Sequence, residues 1–260
     1  MKMEKMHYHF SKIAHRYREL RITDVEPVLF IKKKLKKYSK IVAADIGCGE
    51  GRYDLKFFRH LGKRLFLYCV DANKEMLKNL KESLIKHNIK NFKAIRAFAE
   101  KLPFKNNSLD CIFTFNAIHH FDFPQFLKEC SHILKDNGYL FIYTRLRSQN
   151  RRNIWGKYFP LFYEKEKRLY ELEELRNMIK KNNKLKIESI EYFKYARVSS
   201  LNKLLEQAKN HHYSTFNFYT KEEFEDSIEK FKENIKRNFK DLKNINWFDE
   251  NILLVVRKEK

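Results

Sequence analysis

Residues 42–57 read VAADIGCGEGRYDLKF, and this stretch carries the strongest structural signal in the chain. An apolar run ends at Asp45, glycines follow at positions 47, 49 and 51, and a helix-like pattern begins directly after them. The whole chain has only six glycines, so three of them in one place need a specific cause. Glycine is used where the backbone needs unusual dihedrals or where a ligand approaches the main chain closely. An ordinary strand-to-helix turn needs one glycine, so three of them predict a binding loop.

The order of residues in this loop indicates what kind of ligand it binds. A strand, a glycine-rich turn and a helix form a nucleotide-type site at the carboxyl end of a parallel sheet. A dinucleotide site reads G-x-G-x-x-G, whereas here Asp45 stands two positions before three glycines spaced by two. No Lys-Ser or Lys-Thr pair follows, as it would in a phosphate-binding loop. The loop therefore favours a ligand with a positive charge, such as a sulfonium amino acid.

Strand and helix patterns alternate through the first half of the chain. The predicted strands are residues 41–46, 65–70, 92–97, 109–115 and 139–144. Helices are predicted at 74–87 and 123–134, the second capped by Asp122 and followed by a turn at Asn137 and Gly138. This alternation predicts an α/β fold: a Rossmann-like, doubly wound, mostly parallel sheet with helices on both faces.

The alternation ends after residue 144, where an aromatic and basic stretch begins. A helix is predicted at 171–181, strands at 185–193 and 251–257, and a long helical segment at 199–242. We interpret residues 1–260 as one domain with a helical segment at 1–40 and a ligand-binding core at 41–144. Residues 145–170 and 199–245 are then helical cap insertions over the carboxyl edge of the sheet.

Composition bears on partners and location. The 55 Lys and Arg residues exceed the 33 Asp and Glu residues and give a net charge of +22. Such an excess is found in RNA-binding proteins, and Lys- and Glu-rich surfaces are also typical of heat-adapted proteins. The chain has no apolar run of about 18 residues and no secretory signal, which predicts a soluble, cytoplasmic protein without a membrane partner. Its four cysteines form no C-x-x-C pair, so we expect free thiols and no zinc site.

The segment ADIGCGEGR resembles the first motif of class I S-adenosylmethionine-dependent methyltransferases. Three further segments agree with that family in the same order: LYCVDANKEML, AFAEKLPFKNNSLDCIFTFNAIHHF and HILKDNGYLFI. Several ordered motifs are more specific than any one of them, and together they cover residues 41–144. The resemblance implies a methyltransferase of the type 11 branch that uses S-adenosyl-L-methionine.

The resemblance implies cofactor contacts in the glycine loop and at the end of the second strand. The loop residues that would lie against the amino-acid and ribose parts of the cofactor are Gly47, Cys48, Gly49 and Gly51. Asp45 would orient the loop and the ammonium group of the cofactor. Asp71 would hold both ribose hydroxyls, although an acid in this position can also simply cap the next helix.

The adenine contacts implied by the resemblance follow the second and third strands. Ala72 and Met76 would flank the adenine, and Ala99 with Glu100 would meet its edge. Many relatives have an Asp where this chain has Phe98. Phe98 would therefore supply backbone contacts and an apolar wall in place of a side-chain hydrogen bond.

Residues 10–21, FSKIAHRYRELR, resemble the N-terminal segment that folds over the cofactor in the type 11 branch. The resemblance implies that Tyr17 and Arg21 reach the methionine carboxylate, Arg21 through a forked ion pair. The same two residues fit equally well on the surface of an amphipathic helix.

Methyl transfer from a sulfonium is an in-line displacement with an excellent leaving group, so the protein's main task is positioning in a dry pocket. No metal ion and no covalent residue are required. A base is needed when the acceptor is a hydroxyl or an acidic carbon, and the segment NAIHHF supplies the candidate His119. Its ring can instead pack beneath the cofactor as a structural histidine. Asn116 stands where the family lines the methyl channel.

Two cap stretches, RNIWGKYFPLFYEK and AKNHHYSTFNFYT, are candidates for the acceptor pocket. Their aromatic side chains can stack on a flat acceptor, but a small core of the cap itself is the better interpretation. The residues expected to make polar contacts with an acceptor are His211, His212, Tyr213, Ser214 and Thr215.

Three functions are compatible with these features. The leading hypothesis is methyl transfer to a small-molecule acceptor. The second is an RNA (tRNA) methyltransferase, because IHHF followed by a basic segment also resembles some tRNA wobble-base modifiers. The basic residues in question are Arg145, Arg147, Arg151 and Arg152. The third is a non-catalytic S-adenosylmethionine-binding protein, which the intact glycine loop disfavours.

Overall fold

The computed structural model describes residues 22–260, and its strands form one sheet. The strands are β1 (Ile41–Ile46), β2 (Leu65–Asp71), β3 (Phe92–Arg96), β4 (Leu109–Phe115), β5 (Leu134–Thr144), β6 (Leu185–Ser199) and β7 (Ile245–Lys258). Their order in the sheet is β3-β2-β1-β4-β5-β7-β6. The first five are parallel, whereas β7 runs antiparallel to both β5 and β6. The predicted α/β class and mostly parallel Rossmann-like sheet are confirmed.

Helices alternate with the strands and continue into the second half of the chain. They are α1 (Glu26–Lys34), α2 (Arg52–Leu61), α3 (Lys74–Lys86), α4 (Phe123–Ile133), α5 (Arg147–Arg152), α6 (Ile154–Tyr158), α7 (Phe162–Lys165), α8 (Leu172–Lys180), α9 (Leu201–Lys209) and α10 (Lys221–Asn238). Asp122 caps α4 as predicted, since its side chain accepts a hydrogen bond from the Gln125 amide at 3.1 Å. No helix within residues 22–260 is both long enough and apolar enough to span a bilayer.

Two apolar clusters cover the two faces of the sheet. Successive side chains of a strand point to opposite faces, so Ile41 and Ala43 of β1 join one cluster and Ala44 and Ile46 join the other. Helices α1, α2 and α3 supply the first cluster, and α4 and α8 supply the second. Helices on both faces make the sheet doubly wound.

The two last strands are longer than predicted and form a hairpin that projects beyond β5. Residues 252–257 pair with β5, whereas β6 and β7 remain paired from Leu185 with Lys258 to Ser199 with Ile245. The inner face of the projecting part carries charged and polar residues, so the apolar pattern that predicts a strand is missing there.

The predicted continuous helical segment at 199–242 is wrong. The structure has two helices, α9 and α10, with a short 3-10 turn at Ser214–Phe218 between them. His211 has a left-handed φ of 48°, which interrupts the first helix. Thr220 then begins the second helix, since its hydroxyl accepts from the Glu223 amide and the Glu223 carboxylate accepts from the Thr220 amide.

A third apolar cluster lies within these helical segments and the helices after β5. Trp155 and Phe159 from the first segment pack with Phe216 and Phe231 from the second. The aromatic side chains singled out in the sequence therefore form a core for the helices themselves, in agreement with the favoured interpretation.

Candidate active site

A deep cleft opens at the carboxyl ends of β1 and β4. The strand order reverses at this point, because the chain runs from β1 outward to β3 and then returns to place β4 on the other side of β1. Open α/β sheets bind their ligands at such a reversal. The cleft encloses about 1130 Å³, a volume that includes space open to solvent.

The glycine loop follows β1 and needs its glycines for geometric reasons. Gly47, Gly49 and Gly51 have φ values of 76°, 56° and 79°, in the left-handed region that other residues rarely adopt. A Cβ on Gly47 would lie 2.5 Å from the Cβ of Ala117, so the loop packs tightly against the segment after β4. Gly49 faces open space at the cleft wall.

Gly51 is placed differently from the expectation that all three glycines contact a ligand. A Cβ there would meet Leu80 of α3 at 3.1 Å, so Gly51 faces the protein interior behind the loop. It does not belong to the described cleft wall. Its role in this structure is to let α2 begin close against α3.

The loop amides already have acceptors within the protein. The amides of Gly47 and Cys48 donate to the Val70 carbonyl at 2.8 and 3.1 Å, and the Gly51 amide donates to the Cys48 carbonyl at 3.1 Å. The Gly49 amide donates to the Asp71 carboxylate at 2.9 Å. A loop that binds phosphate directs its amides at the ligand instead. This geometry therefore fits a ligand without a phosphate at the loop.

Asp71 organises the loop from the end of β2. Besides the Gly49 amide, its carboxylate accepts the Asn73 amide at 2.8 Å. The helix that follows is capped by Asn73, whose side-chain oxygen accepts from Glu75 and Met76 at 3.0 and 3.1 Å. The alternative interpretation of Asp71 as the helix cap is thus wrong. Sequence reasoning missed Asn73, although Asn directly before the first residue of a predicted helix is a recognisable cap signal.

The cleft is acidic in a chain with a large positive charge. The carboxylates that line it belong to Asp45, Glu50, Asp71 and Glu100. Among the lining residues that the structure describes, Arg52 is the one lysine or arginine. S-Adenosyl-L-methionine carries a sulfonium and an ammonium group, so its charge matches such a wall. The residues present therefore fit this cofactor on two observations, the acidic lining and the bonded loop amides.

Burial raises the pKa of two acids beneath the loop, Asp45 and Asp54. Burial raises the pKa of Asp45 well above its ordinary value, and the neighbouring Asp54 and Asp71 carboxylates raise that pKa further. Burial also raises the pKa of Asp54 to about 7. Asp54 and Glu50 were missed by sequence reasoning. Asp54 could have been noticed because it lies three residues after Gly51, on the first turn of α2 that faces the loop.

The far wall of the cleft is formed by residues expected to surround an adenine. They are Ala72, Met76, Phe98, Ala99 and Glu100. Met76 is buried, whereas the side chain of Phe98 is 50% exposed and forms an open apolar wall. The Glu100 carboxylate accepts the Asp122 amide at 2.8 Å, which ties this wall to the start of α4. The two N-terminal candidates, Tyr17 and Arg21, lie outside the described residues.

A second cavity adjoins the cleft under the helices of the second half. Four residues line both spaces, which are therefore adjacent: Arg52, Tyr53, Asn116 and His120. His119 lines the second cavity, with its ring centroid 4.0 Å from that of His120. The structure thus places His119 beyond the cleft and at the wall of a separate space.

Asn116 stands at the junction of the two spaces in a strained conformation. Its φ is 55°, and its amide donates to the Tyr143 carbonyl at 2.7 Å. Its side-chain oxygen accepts from the Asn251 amide group at 3.3 Å. Asn251 comes from β7, and no sequence pattern linked it to this site.

The segment between α9 and α10 contributes four of the five residues expected to contact an acceptor. These are His212, Tyr213, Ser214 and Thr215, all of which line the second cavity. His211 points elsewhere, with its ring nitrogen 3.0 Å from the side-chain oxygen of Asn217 and its ring against Phe224.

The arginines expected to face RNA are engaged within the protein. Arg145 is ion-paired with Asp249 at 3.1 Å and lines the second cavity. Arg147 pairs with Glu174, Arg152 pairs with Glu250, and Arg151 stacks over the ring of Tyr163. Across residues 22–260, no cluster of three or more His, Cys, Asp or Glu side chains has the arrangement of a metal site.

Comparisons with known proteins agree with this architecture. Residues 44–142 match the model of a family described as a methyltransferase domain, of type 11. Mouse tRNA (carboxymethyluridine(34)-5-O)-methyltransferase ALKBH8 is 25% identical over 164 residues, which cover 61% of this chain and 23% of the mouse protein. The ubiquinone/menaquinone biosynthesis C-methyltransferase UbiE of Rickettsia felis is 37% identical over 99 residues, covering 36% of this chain and 40% of that protein. The chain spans no more than about half the length of the curated relatives that it matches.

Among solved structures, the YcgJ protein from Bacillus subtilis has the same fold. Its TM-score is 0.60 at 18% sequence identity, over 90% of this chain and 99% of that one. The likeness extends through the second half of the chain, beyond the residues that match the family model.

Proposed function

We propose that this protein transfers a methyl group to a small-molecule acceptor. Residues 44–142 match a methyltransferase domain of type 11, a branch of the class I S-adenosylmethionine-dependent enzymes. The cleft after β1 would hold S-adenosyl-L-methionine, and the adjoining cavity would hold the acceptor. The observation that carries this proposal is the acidic cleft whose glycine-loop amides are already bonded within the protein. Residues 145–170 and 199–245 would then act as the cap of a single domain.

Different residues of the cleft would bind the amino-acid, ribose and adenine parts of the cofactor. S-Adenosyl-L-methionine supplies a methyl group on a sulfonium, which leaves as a neutral thioether. Asp71, whose carboxylate accepts two backbone amides, would also accept the ribose hydroxyls. Asp45 would orient the ammonium group, and Phe98 would shield one face of the adenine. Tyr17 and Arg21 remain candidates for the carboxylate.

We propose His119 as the base for acceptors that must lose a proton. It lines the acceptor cavity and not the cofactor cleft, which is where a base for the acceptor has to be. Asn116 would line the methyl path, because it belongs to both spaces. The proton of an acceptor hydroxyl would pass to the imidazole as the oxygen gains the methyl group.

Isothermal titration calorimetry tests the cofactor directly. We expect S-adenosylhomocysteine to bind in a one-to-one ratio, because the acidic cleft is single and continuous within the described chain. NAD is the matched control, since it shares the adenosine group but carries a pyrophosphate that the bonded loop amides do not recognise. Tighter binding of NAD than of S-adenosylhomocysteine would overturn the proposed function.

RNA is the second candidate acceptor, and two observations favour it. One mouse relative is named a tRNA methyltransferase, and the chain carries a net charge of +22. The internal pairing of Arg145, Arg147 and Arg152 argues against a dedicated RNA surface beside the active site. The name of the UbiE relative, by contrast, points to a small acceptor.

The salt dependence of tRNA binding separates these two candidates. We expect only non-specific binding, with an affinity that falls steeply as salt rises, because neutralised phosphates release counterions. The control is Arg176→Ala, which removes an exposed arginine of α8 away from the cavity. Replacing Arg151 and Arg152 by alanine should change the slope of log affinity against log salt no more than this control does. A slope reduced by about 1 per arginine in the double variant alone would support RNA as the acceptor.

A further inference from the structure

The second cavity differs from the cofactor cleft in its charge balance, because arginines line it in the same number as carboxylates. Four guanidinium groups line it or bond to its lining residues: those of Arg52, Arg145, Arg168 and Arg197. Within the described chain, three carboxylates also line the cavity: those of Asp24, Glu166 and Asp249. The two adjoining spaces thus differ in the charge of the molecule that each would accept.

The three carboxylates of the cavity are already neutralised by arginines. Asp249 lies 3.1 Å from both Arg145 and Arg197, and Arg197 also binds both oxygens of Asp24 at 2.8 Å. This network runs across the inner face of the β6–β7 hairpin. Carboxylates that are held in this way have little remaining capacity to attract a cationic acceptor.

The third carboxylate is held in the same manner on the cap side of the cavity. Glu166 accepts from the Arg168 guanidinium at 2.8 Å and from the Thr215 hydroxyl at 2.5 Å. Arg168 in turn donates to the Ser214 hydroxyl at 3.0 Å. The polar groups of the cap wall are therefore fixed by one another before any acceptor binds.

Two hydrogen-bond donors in this wall remain without an acceptor anywhere in residues 22–260. They are the side-chain amide nitrogen of Asn150 and the indole nitrogen of Trp247. Asn150 is only 3% exposed, and its oxygen accepts from the Asn153 amide group at 3.2 Å, which directs its NH₂ group away from that contact. A buried donor without an acceptor is costly, so a native structure that keeps two in one cavity has a use for them.

The two donors line the same cavity from different elements of the fold. Trp247 points to the inner face of its strand together with Asp249 and Asn251, because alternate residues of a strand share a face. Helix α5, which carries Asn150, packs against β7. The donors thus come from two elements that are in contact.

We infer that the acceptor is a small hydrophilic molecule that presents an oxyanion, most simply a carboxylate, to Asn150 and Trp247. A carboxylate only accepts hydrogen bonds, so it would satisfy both donors, and its charge would offset the arginine excess. A quinone or lipid acceptor would instead bury the paired charges of the wall against apolar surface. The inference rests on the proposed function only in naming the bound molecule a methyl acceptor.

Ligand-observed NMR with a library of small carboxylates and their primary amides tests this inference. The protein is saturated with S-adenosylhomocysteine, so that the acceptor cavity is the space left to fill. We expect the carboxylates to bind about tenfold or more tightly than the amides of the same shape. Equal binding of the two classes, preferential binding of an added naphthoquinone, or no binding of any carboxylate would overturn the inference.

Two near-isosteric variants then locate the contact. Trp247→Phe removes one donor and Asn150→Asp replaces the other by an oxygen, so each should weaken carboxylate binding about tenfold or more. Trp247→Phe removes an unsatisfied donor but also part of a ring that packs against the third apolar cluster, so a modest loss of thermal stability is expected and affinity is compared on folded protein. Asn246→Asp adds the same charge on the outer face of β7 and should not change carboxylate affinity. Unchanged affinity in both test variants would overturn the inference.

Measuring the binding of S-adenosylhomocysteine alongside that of the carboxylates distinguishes a failure of this inference from a failure of the proposed function. If the cofactor product binds and carboxylates show no preference, the acceptor class is wrong and the proposed function stands. If carboxylates bind with the expected preference and the cofactor product does not bind at all, the proposed function fails while the anion site stands. Both test variants are expected to bind S-adenosylhomocysteine as the unmodified protein does.

Discussion

Asp71→Ala is expected to lower the affinity for S-adenosylhomocysteine by roughly 10²–10⁴-fold. The proposed role of Asp71 gives it two charge-assisted hydrogen bonds to the ribose, each worth about 1.5–3 kcal/mol. The substitution also frees the amides of Gly49 and Asn73, which the carboxylate now holds at 2.9 and 2.8 Å. Calorimetry on the variant, with thermal unfolding measured in parallel, checks this expectation.

A matched control separates ribose recognition from the loss of backbone contacts. Asp241 is also a carboxylate that accepts two backbone amides, those of Lys243 and Asn244, but it lies in an exposed turn. Asp241→Ala should therefore leave the affinity for S-adenosylhomocysteine unchanged. If Asp71→Ala binds the ligand as tightly as this control does, Asp71 only orders the loop.

His119→Ala is expected to reduce turnover by roughly 10²–10⁴-fold while cofactor affinity stays nearly intact, provided the acceptor must lose a proton. The separation is expected because His119 lines the second cavity and not the cleft. A histidine base acts only in its neutral form, so the turnover of the unmodified protein should rise with pH as the imidazole loses its proton. Methyl transfer at several pH values, measured with any surrogate acceptor that turns over, provides the test.

The control for this variant is His132→Ala, which removes a histidine from the last turn of α4 without touching either space. A thiolate or neutral amine acceptor needs no base, and the rate would then change little. A joint collapse of cofactor affinity and thermal stability in His119→Ala alone would identify His119 as a packing residue and contradict its proposed role.

The cofactor cleft could be predicted from the sequence because its residues are local. Asp45, the glycine loop and Asp71 follow consecutive parallel strands, and a turn after one strand is forced to the same edge as a turn after the next. What the sequence did not reveal is how the loop is held. The amides of Gly47 and Cys48 bond to Val70, and Asn73 rather than Asp71 caps α3.

The second cavity could not be predicted in the same way, since segments distant in sequence form its wall. Arg197 pairs in register with Trp247, and Tyr195 pairs with Asp249, across an intervening stretch of two helices. The strand residues at 245–251 alternate between a polar cavity and solvent, so they lack the apolar period by which strands are recognised. Side chains that face a polar, solvated cavity need not be apolar, so such a strand does not show the alternating apolar pattern.

The position of β7 also has a consequence for the order in which the protein is built. The last strand of the chain lies between β5 and β6, so the sheet cannot close until residue 257 has been added. The strands around the cleft need only residues 41–144 for their pairings. During synthesis on the ribosome, the half of the molecule that would grip the cofactor is therefore complete more than a hundred residues before Trp247 and Asp249 can wall off the space beside it.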